Sequence, residues 1–193
     1  EKPLGITLHQ ARNLAYLADK HGCITQVSFQ RRTCPMVVQL HQQCLARGPI
    51  THAVCRFYKH LPVPHLDTRD HMMDDGVHAI DTLRWMCGGE VVRVEGTTKR
   101  LTTPDINFIA ATLHFDNGSL GVMLNSWTSG RRIFAVEMHA PGICAVAELE
   151  TILKAHPERR FRIGTGELAD SLALDHITGL SRILVPRVLR SGN

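Results

Sequence analysis

Apolar residues along this chain follow two rhythms, and the change comes near residue 90. Before it they recur at helical spacing; after it they alternate. Leu8, Ala11, Leu14, Ala15 and Ala18 form a stripe at helical spacing that predicts a helix from Thr7 to His21. Thr7 and Gln10 have the spacing of a capping box, Lys20 and His21 suit the negative end of the helix dipole, and Gly22 suits the position just past the end. Cys23 to Phe29 reads as a short buried strand. A second helix is expected to open at Thr33, turn Val37, Leu40 and Cys44 inward, and end at Gly48. Ile50 to Tyr58 alternates and predicts a strand, followed by a loop through Pro62 and Pro64. Met72 to Cys87 predicts a third helix stopped by Gly88-Gly89, with Met73, Val77, Ile80 and Leu83 on one face.

The stretch from Glu90 to Glu150 reads as about five mostly antiparallel strands. Val91 to Thr98 is the first. Ile106 to Phe115 and the return strand through Leu120, Val122 and Leu124 flank Asn117-Gly118, a strong hairpin signal. Arg132 to His139 and Ile143 to Glu150 are joined through Pro141-Gly142. A sheet of this kind buries one face and leaves the other for a ligand or partner. Residues 151 to 176 give no clear pattern. Gly164-Thr165-Gly166-Glu167-Leu168-Ala169 has the spacing of a GxGxxA nucleotide fingerprint, but Phe161-Arg162-Ile163 is a poor strand to precede one and Asp170 lies too close to read a ribose. It is not read as a nucleotide site. Ile177 to Leu189 predicts a last helix, shortened or kinked by Pro186.

Composition narrows the function classes. With 193 residues, 44% hydrophobic and 21% charged, the chain has enough apolar material for one sizeable core. The net charge of +4 is modest, and Arg31-Arg32, Arg131-Arg132 and Arg159-Arg160 are isolated pairs, so no nucleic-acid partner is expected. No apolar run reaches the length of a membrane span, and no signal peptide is recognisable, so no membrane partner is expected. Six cysteines without a CxxC pair suggest reduced thiols and a cytoplasmic protein. The start at Glu1, without an initiator Met, is read as that of a fragment or processed product.

Candidate chemistry is concentrated in the third helix. Asp74, His78 and Asp81 share a helical face at spacings of four and three. A carboxylate four residues before a histidine can bond one imidazole nitrogen and leave the other to take a proton. Gly76 permits close approach of a neighbour or substrate. Two other readings remain open: an exposed polar face with ordinary pairing, and a metal site formed by His71, Asp75 and His78. Trp85 and Trp127 read as core or cleft wall.

Three segments in order resemble the glucose–fructose oxidoreductase, inositol dehydrogenase and MocA family of NAD(P)-dependent enzymes. Glu1-Lys2-Pro3-Leu4 is similar to its EKP motif, Val27 to Pro35 to its "VGFxRR…P" stretch, and Asp74 to Asp81 with Arg84-Trp85 and Gly88 to its "DxGxHxxD…W…G" helix. The resemblance covers roughly residues 1 to 150. It implies an α/β (α+β) fold: a mostly antiparallel open sheet with helices on one face, preceded by the tail of a Rossmann domain. Residues 1–30 would be that tail and residues 31–193 a substrate and oligomerisation domain. It implies oxidation of a sugar or polyol, or reduction of a related carbonyl, by hydride transfer with NAD or NADP. Lys2 would hold the reacting oxygen, His78 would be the general acid/base, and Asp74 would orient His78. Glu1, Lys2 and Pro3 would lie near the nicotinamide, Pro3 shaping the turn that aims Lys2. Homo-oligomers would form through the open face, by Val122, Leu124 and Ile133 or their opposite-face neighbours.

No glycine-rich loop precedes Lys2, so most of the dinucleotide would be bound outside this chain. By itself the chain is expected to be inactive, to bind NAD or NADP no better than about millimolar, and to anchor residues 1 to 30 poorly. The alternative function is a non-catalytic binding or assembly module that keeps a dehydrogenase scaffold.

Overall fold

The structure is a computed structural model and describes residues 1–60, 70–149 and 161–165. Seven strands form one sheet: β1 (His52–His60), β2 (Val91–Lys99), β3 (Phe108–Phe115), β4 (Leu120–Ser126), β5 (Thr128–Ala140), β6 (Ile143–Glu148) and β7 (Phe161–Thr165). Their order is β2-β3-β4-β1-β5-β6-β7. β1 and β4 run parallel, and every other pair is antiparallel. β1 is thus inserted between β4 and β5, so the chain must cross over between β1 and the β2–β4 meander. The crossover includes α3 (Val77–Cys87), which lies against β1 and β4. α2 (Pro35–Leu45) covers β5 and β6 on the same side. The expected α/β class is observed, with a mostly antiparallel sheet and helices on one face.

Alternation sets the core. Ala53, Cys55 and Phe57 of β1, Met123 of β4 and Phe134, Val136 and Met138 of β5 face the helices and are buried. Val37, Leu40 and Cys44 of α2 enter the same core, as their spacing predicts. α2 starts two residues later than expected, with Cys34 at the cap and Pro35 in the first turn, where a missing N–H costs nothing. Gly118 has φ +84, the left-handed conformation needed by the β3–β4 hairpin.

Two expectations, a strand at 23–29 and a uniform third helix, are corrected. Residues 23–29 form no strand, and Ile24 is fully exposed. An extended segment needs a neighbour to take its backbone hydrogen bonds, and none of the described strands pairs with it. α1 (Leu8–Lys20) has the expected capping box of Thr7 and Gln10, but none of its residues is buried, the stripe from Leu8 to Ala18 included. Local capping forms the helix, but burial requires an opposing apolar surface, and no described element covers this stripe. The third helix is not uniform: Met72–Gly76 is a π-helical turn, followed by α3. Asp75, Gly76, Ala79, Thr82, Leu83 and Met86 face inward, whereas Met73, Val77 and Ile80 are half-buried. Small residues Gly76 and Ala79 allow close approach to the sheet, and the bulkier Val77 and Ile80 turn toward a cleft.

β7 pairs antiparallel with β6 through residues that offer little strand pattern, and Gly164 stands opposite Cys144. An antiparallel ladder is not the βαβ setting of a nucleotide fingerprint. The rest of the Gly164–Ala169 segment and the helix expected at Ile177 to Leu189 lie outside the described residues. All six cysteines are free thiols. Among the described residues, no helix is long and apolar enough to cross a membrane.

Candidate active site

Lys2 and His78 line one cleft of about 450 Å³, together with Glu1, Ser28, Phe29 and Arg32. The Lys2–Pro3 peptide is cis. Lys2 is brought to the π-turn before α3 by its charge: Nζ donates to Asp74 Oδ1 at 3.3 Å and lies 3.9 Å from Asp75 Oδ1. The segment with two arginines fixes the other wall. Arg32 pairs with Asp81 at 3.3 Å, Arg31 lies over the Phe134 ring at 4.8 Å, and Phe29 meets the His78 ring edge-on. A second cavity of about 590 Å³ adjoins, sharing Phe29 and Arg32 and bounded by Ile80, Asp81 and Trp85.

The hydrogen bond expected from Asp74 to His78 is absent. Asp74 holds Lys2 instead, and His78 Nδ1 is buried without a hydrogen-bond partner. The wider π-turn that contains Asp74 rotates it away from the position an α-helix would give it relative to His78. Burial, then the positive charges of Lys2 and Arg31, pull the His78 pKa down to about 4. The imidazole is therefore neutral at ordinary pH, the form that can accept a proton. Gly76 serves packing rather than backbone approach: a Cβ there would lie 2.6 Å from Met72 Sδ and 3.2 Å from Asn125 Nδ2.

Asp75 is the hub of a buried network beneath the cleft. Its Oδ2 accepts from Lys59 Nζ at 2.6 Å and from Trp127 Nε1 at 3.0 Å. Burial raises its pKa, but the bonds from Lys59 and Trp127 and the charges of Lys59 and Lys2 outweigh this, and the net shift is downward. Trp127 also stacks on His71, with ring centroids 4.5 Å apart, and His71 Nε2 meets Asp105 Oδ2 at 2.7 Å. Asn107 ties the loop that carries Asp105: its side chain accepts from the Leu101 N–H and donates to the Leu101 carbonyl and Thr103 Oγ1. His71 and Asp75 are thus engaged with Asp105 and with Lys59 and Trp127, and they do not converge with His78 on one point. Trp127 is core and Trp85 is cleft wall.

Lys59 and Trp127 were not among the expected site residues. The available signal was parity: Ala53, Cys55, Phe57 and Lys59 share the inward face of β1, and a lysine there requires a buried partner. Asn125, fully buried on the inward face of β4, carries the same kind of signal.

Residues 46–140 match the GFO/IDH/MocA C-terminal domain. Myo-inositol dehydrogenase Hyg17 of Streptomyces leeuwenhoekii is 30% identical over 134 residues, covering 64% of this chain and 41% of that protein. The UDP-N-acetylglucosamine 3-dehydrogenase GnnA of Acidithiobacillus ferrooxidans superposes with a TM-score of 0.76 at 16% identity, over 92% of this chain and 55% of that one. A levoglucosan dehydrogenase, in complex with NADH and L-sorbose, gives 0.73 at 16% identity, over 96% and 53%. Such low identities show a shared fold. The chain spans about two fifths of the length of the curated relatives it matches. With the domain match and the shared sheet in place, residues 46–140 of this chain are identified with the C-terminal domain of the GFO/IDH/MocA family.

Proposed function

We propose that the protein to which this chain belongs is an NAD(P)-dependent dehydrogenase of a sugar, polyol or related carbonyl, with Lys2 and His78 at its reacting centre. The observation that carries this reading is that Lys2 and the neutral His78 line one cleft, with Lys2 held on Asp74. The cleft and its larger neighbour offer polar groups from Ser28, Arg32 and Asp81, suited to a ligand with several hydroxyls.

The unpartnered Nδ1 of His78 and the cationic Lys2 fit the nicotinamide end of a dinucleotide and a substrate alcohol beside it. Glu1, Lys2 and Pro3 would lie against the nicotinamide, which would supply the hydride chemistry at the carbinol carbon. Lys2 donates to the substrate oxygen and favours its developing negative charge, and His78 accepts the hydroxyl proton. In the reverse direction His78 returns that proton to the carbonyl oxygen. Asp74 positions Lys2. Glu1 and Pro3 shape the wall nearest the nicotinamide. Residues 1–30 are the end of a dinucleotide-binding domain and residues 31–193 the substrate domain. The relatives named as inositol dehydrogenases favour a polyol substrate.

The test is turnover by the complete protein on a panel of inositols, aldoses and amino sugars, with NAD and NADP. Hydride transfer to one of the cofactors with a polyhydroxylated substrate is the expected result. Binding of such compounds without turnover would replace this reading by that of a non-catalytic module.

The uncovered sheet face, where Leu120 and Val122 are exposed, is proposed to pack on a second copy. Light scattering should then give a dimer or larger species. A clean monomer at high concentration would refute the contact.

A further inference from the structure

The face of the sheet opposite α3 carries a second cluster that the dehydrogenase reading does not use. His52 of β1 stands opposite His139 of β5, and His139 stands opposite Cys144 of β6, so the three form a row across adjacent strands. Glu137 lies two residues before His139 and shares its face. Glu137 Oε1 is 2.7 Å from His139 Nε2, and Cys144 Sγ is 3.6 Å from the same nitrogen. All three ligand atoms lie within 4.8 Å of one another. We propose that Glu137, His139 and Cys144 form a binding site for a zinc-type divalent cation.

Hydrogen bonding alone serves this cluster badly. Both contacts fall on Nε2. A neutral imidazole nitrogen either donates or accepts, so it cannot bond the carboxylate as a donor and the thiol as an acceptor at once. A Cys–His–Glu nucleophilic relay is excluded for the same reason, because it needs the acid on one ring nitrogen and the thiol on the other. A cation at the common point engages all three groups together.

The distances fit. Zinc bonds of about 2.3 Å to sulfur and about 2.05 Å to nitrogen, at a tetrahedral angle, put those atoms about 3.6 Å apart. The matching nitrogen–oxygen separation is about 3.3 Å, so the Glu137 carboxylate need withdraw by only about 0.6 Å, within reach of its side-chain rotations. Thiolate, imidazole and carboxylate together suit Zn²⁺ or Co²⁺ rather than Mg²⁺ or Ca²⁺. Paired strands fix the donor positions in advance. The His52 ring stacks parallel to His139 at 4.0 Å and 11°, and its Nδ1 meets Thr51 Oγ1 at 3.2 Å. The fourth position is left to water.

Cobalt chloride titrated into the reduced full chain tests the site. One equivalent should give the visible bands of four-coordinate Co²⁺ and a near-ultraviolet thiolate-to-cobalt band, both lost on adding zinc chloride. Cys144→Ser should remove the thiolate band. His139→Gln and Glu137→Gln should each weaken binding at least about tenfold. Absence of the bands in the parent chain, or their persistence in Cys144→Ser, would overturn the proposal, since the thiolate would then come from another cysteine. Should Cys144→Ser fail to fold, alkylation of the parent chain decides. Zinc chloride should protect Cys144 from the reagent, and equal labelling with and without zinc would refute the site.

Discussion

His78→Ala in the complete protein is expected to lower kcat by about 100- to 10,000-fold, the range for a lost general acid/base. The KM for the dinucleotide should change by less than about threefold, because the imidazole serves the reacting proton rather than uniform binding. Unchanged turnover would remove His78 from the reaction. A second readout isolates the field around the ring. Lys2 contributes to pulling the His78 pKa down to about 4, after burial itself. In Lys2→Met the His78 titration, followed by NMR, should therefore move upward toward the ordinary value of about 6.5. No movement would mean that Lys2 does not sit beside the ring. The same shift has a stability consequence. A histidine whose folded pKa is depressed keeps its contribution above about pH 6.5 and loses it as pH falls toward about 4, where the unfolded chain binds the proton first.

Asp75→Ala is expected to destabilise the fold by about 3 kcal/mol, the lower end of the range for removing one partner of a buried ion pair. The lower end applies because the Lys59 side chain keeps 18% exposure and can recover some hydration. Trp127 Nε1, fully inside, loses its acceptor as well. Asp75→Asn, which keeps an oxygen for Trp127, should cost less. Urea unfolding gives the measurement: a lower midpoint with unchanged slope is expected, and an unmoved midpoint would show that the network carries no net stability. The pH dependence has a defined sign. The folded Asp75 pKa is depressed, so its contribution is present above the unfolded value of about 3.9 and declines as pH falls through the lower folded value. The gap between Asp75→Ala and the parent chain should narrow in that acid window.

The two effects differ in kind because of where the groups lie. His78 borders the cleft and makes no hydrogen bond through Nδ1, so little of the fold depends on that nitrogen. Asp75 is one residue from Asp74 yet faces inward, and it joins β1 and the residue after β4 to the π-turn through Lys59 and Trp127. Its interactions are structural, and through 3.9 Å they also reach Lys2.

Strands β1 to β6, the α1 capping box and the inward residues of α2 were legible in the sequence because they rest on local rules. Alternation over Val91 to Glu148 needs only the two-residue period of a pleated strand. The Thr7–Gln10 box needs only four consecutive residues, and the Asn117-Gly118 turn needs only a glycine at positive φ. The motif order placed Lys2, Asp74 and His78 in one candidate centre. Which atoms meet there was decided by tertiary structure alone. A one-dimensional pattern treats 72–87 as a regular helix, but the π-turn, packed against β4 through Gly76, moves Asp74 onto Lys2 and leaves His78 Nδ1 alone. Lys59, Asp75 and Trp127 come together only because β1 is inserted between β4 and β5. The stripe on α1 shows the converse limit: sequence can prepare an apolar face, but burial belongs to the surface opposite it. Period and capping are properties of neighbours along the chain. The ion pairs across 16 and 72 residues and the Trp127–Asp75 hydrogen bond across 52 depend on long-range topology, which no local pattern encodes.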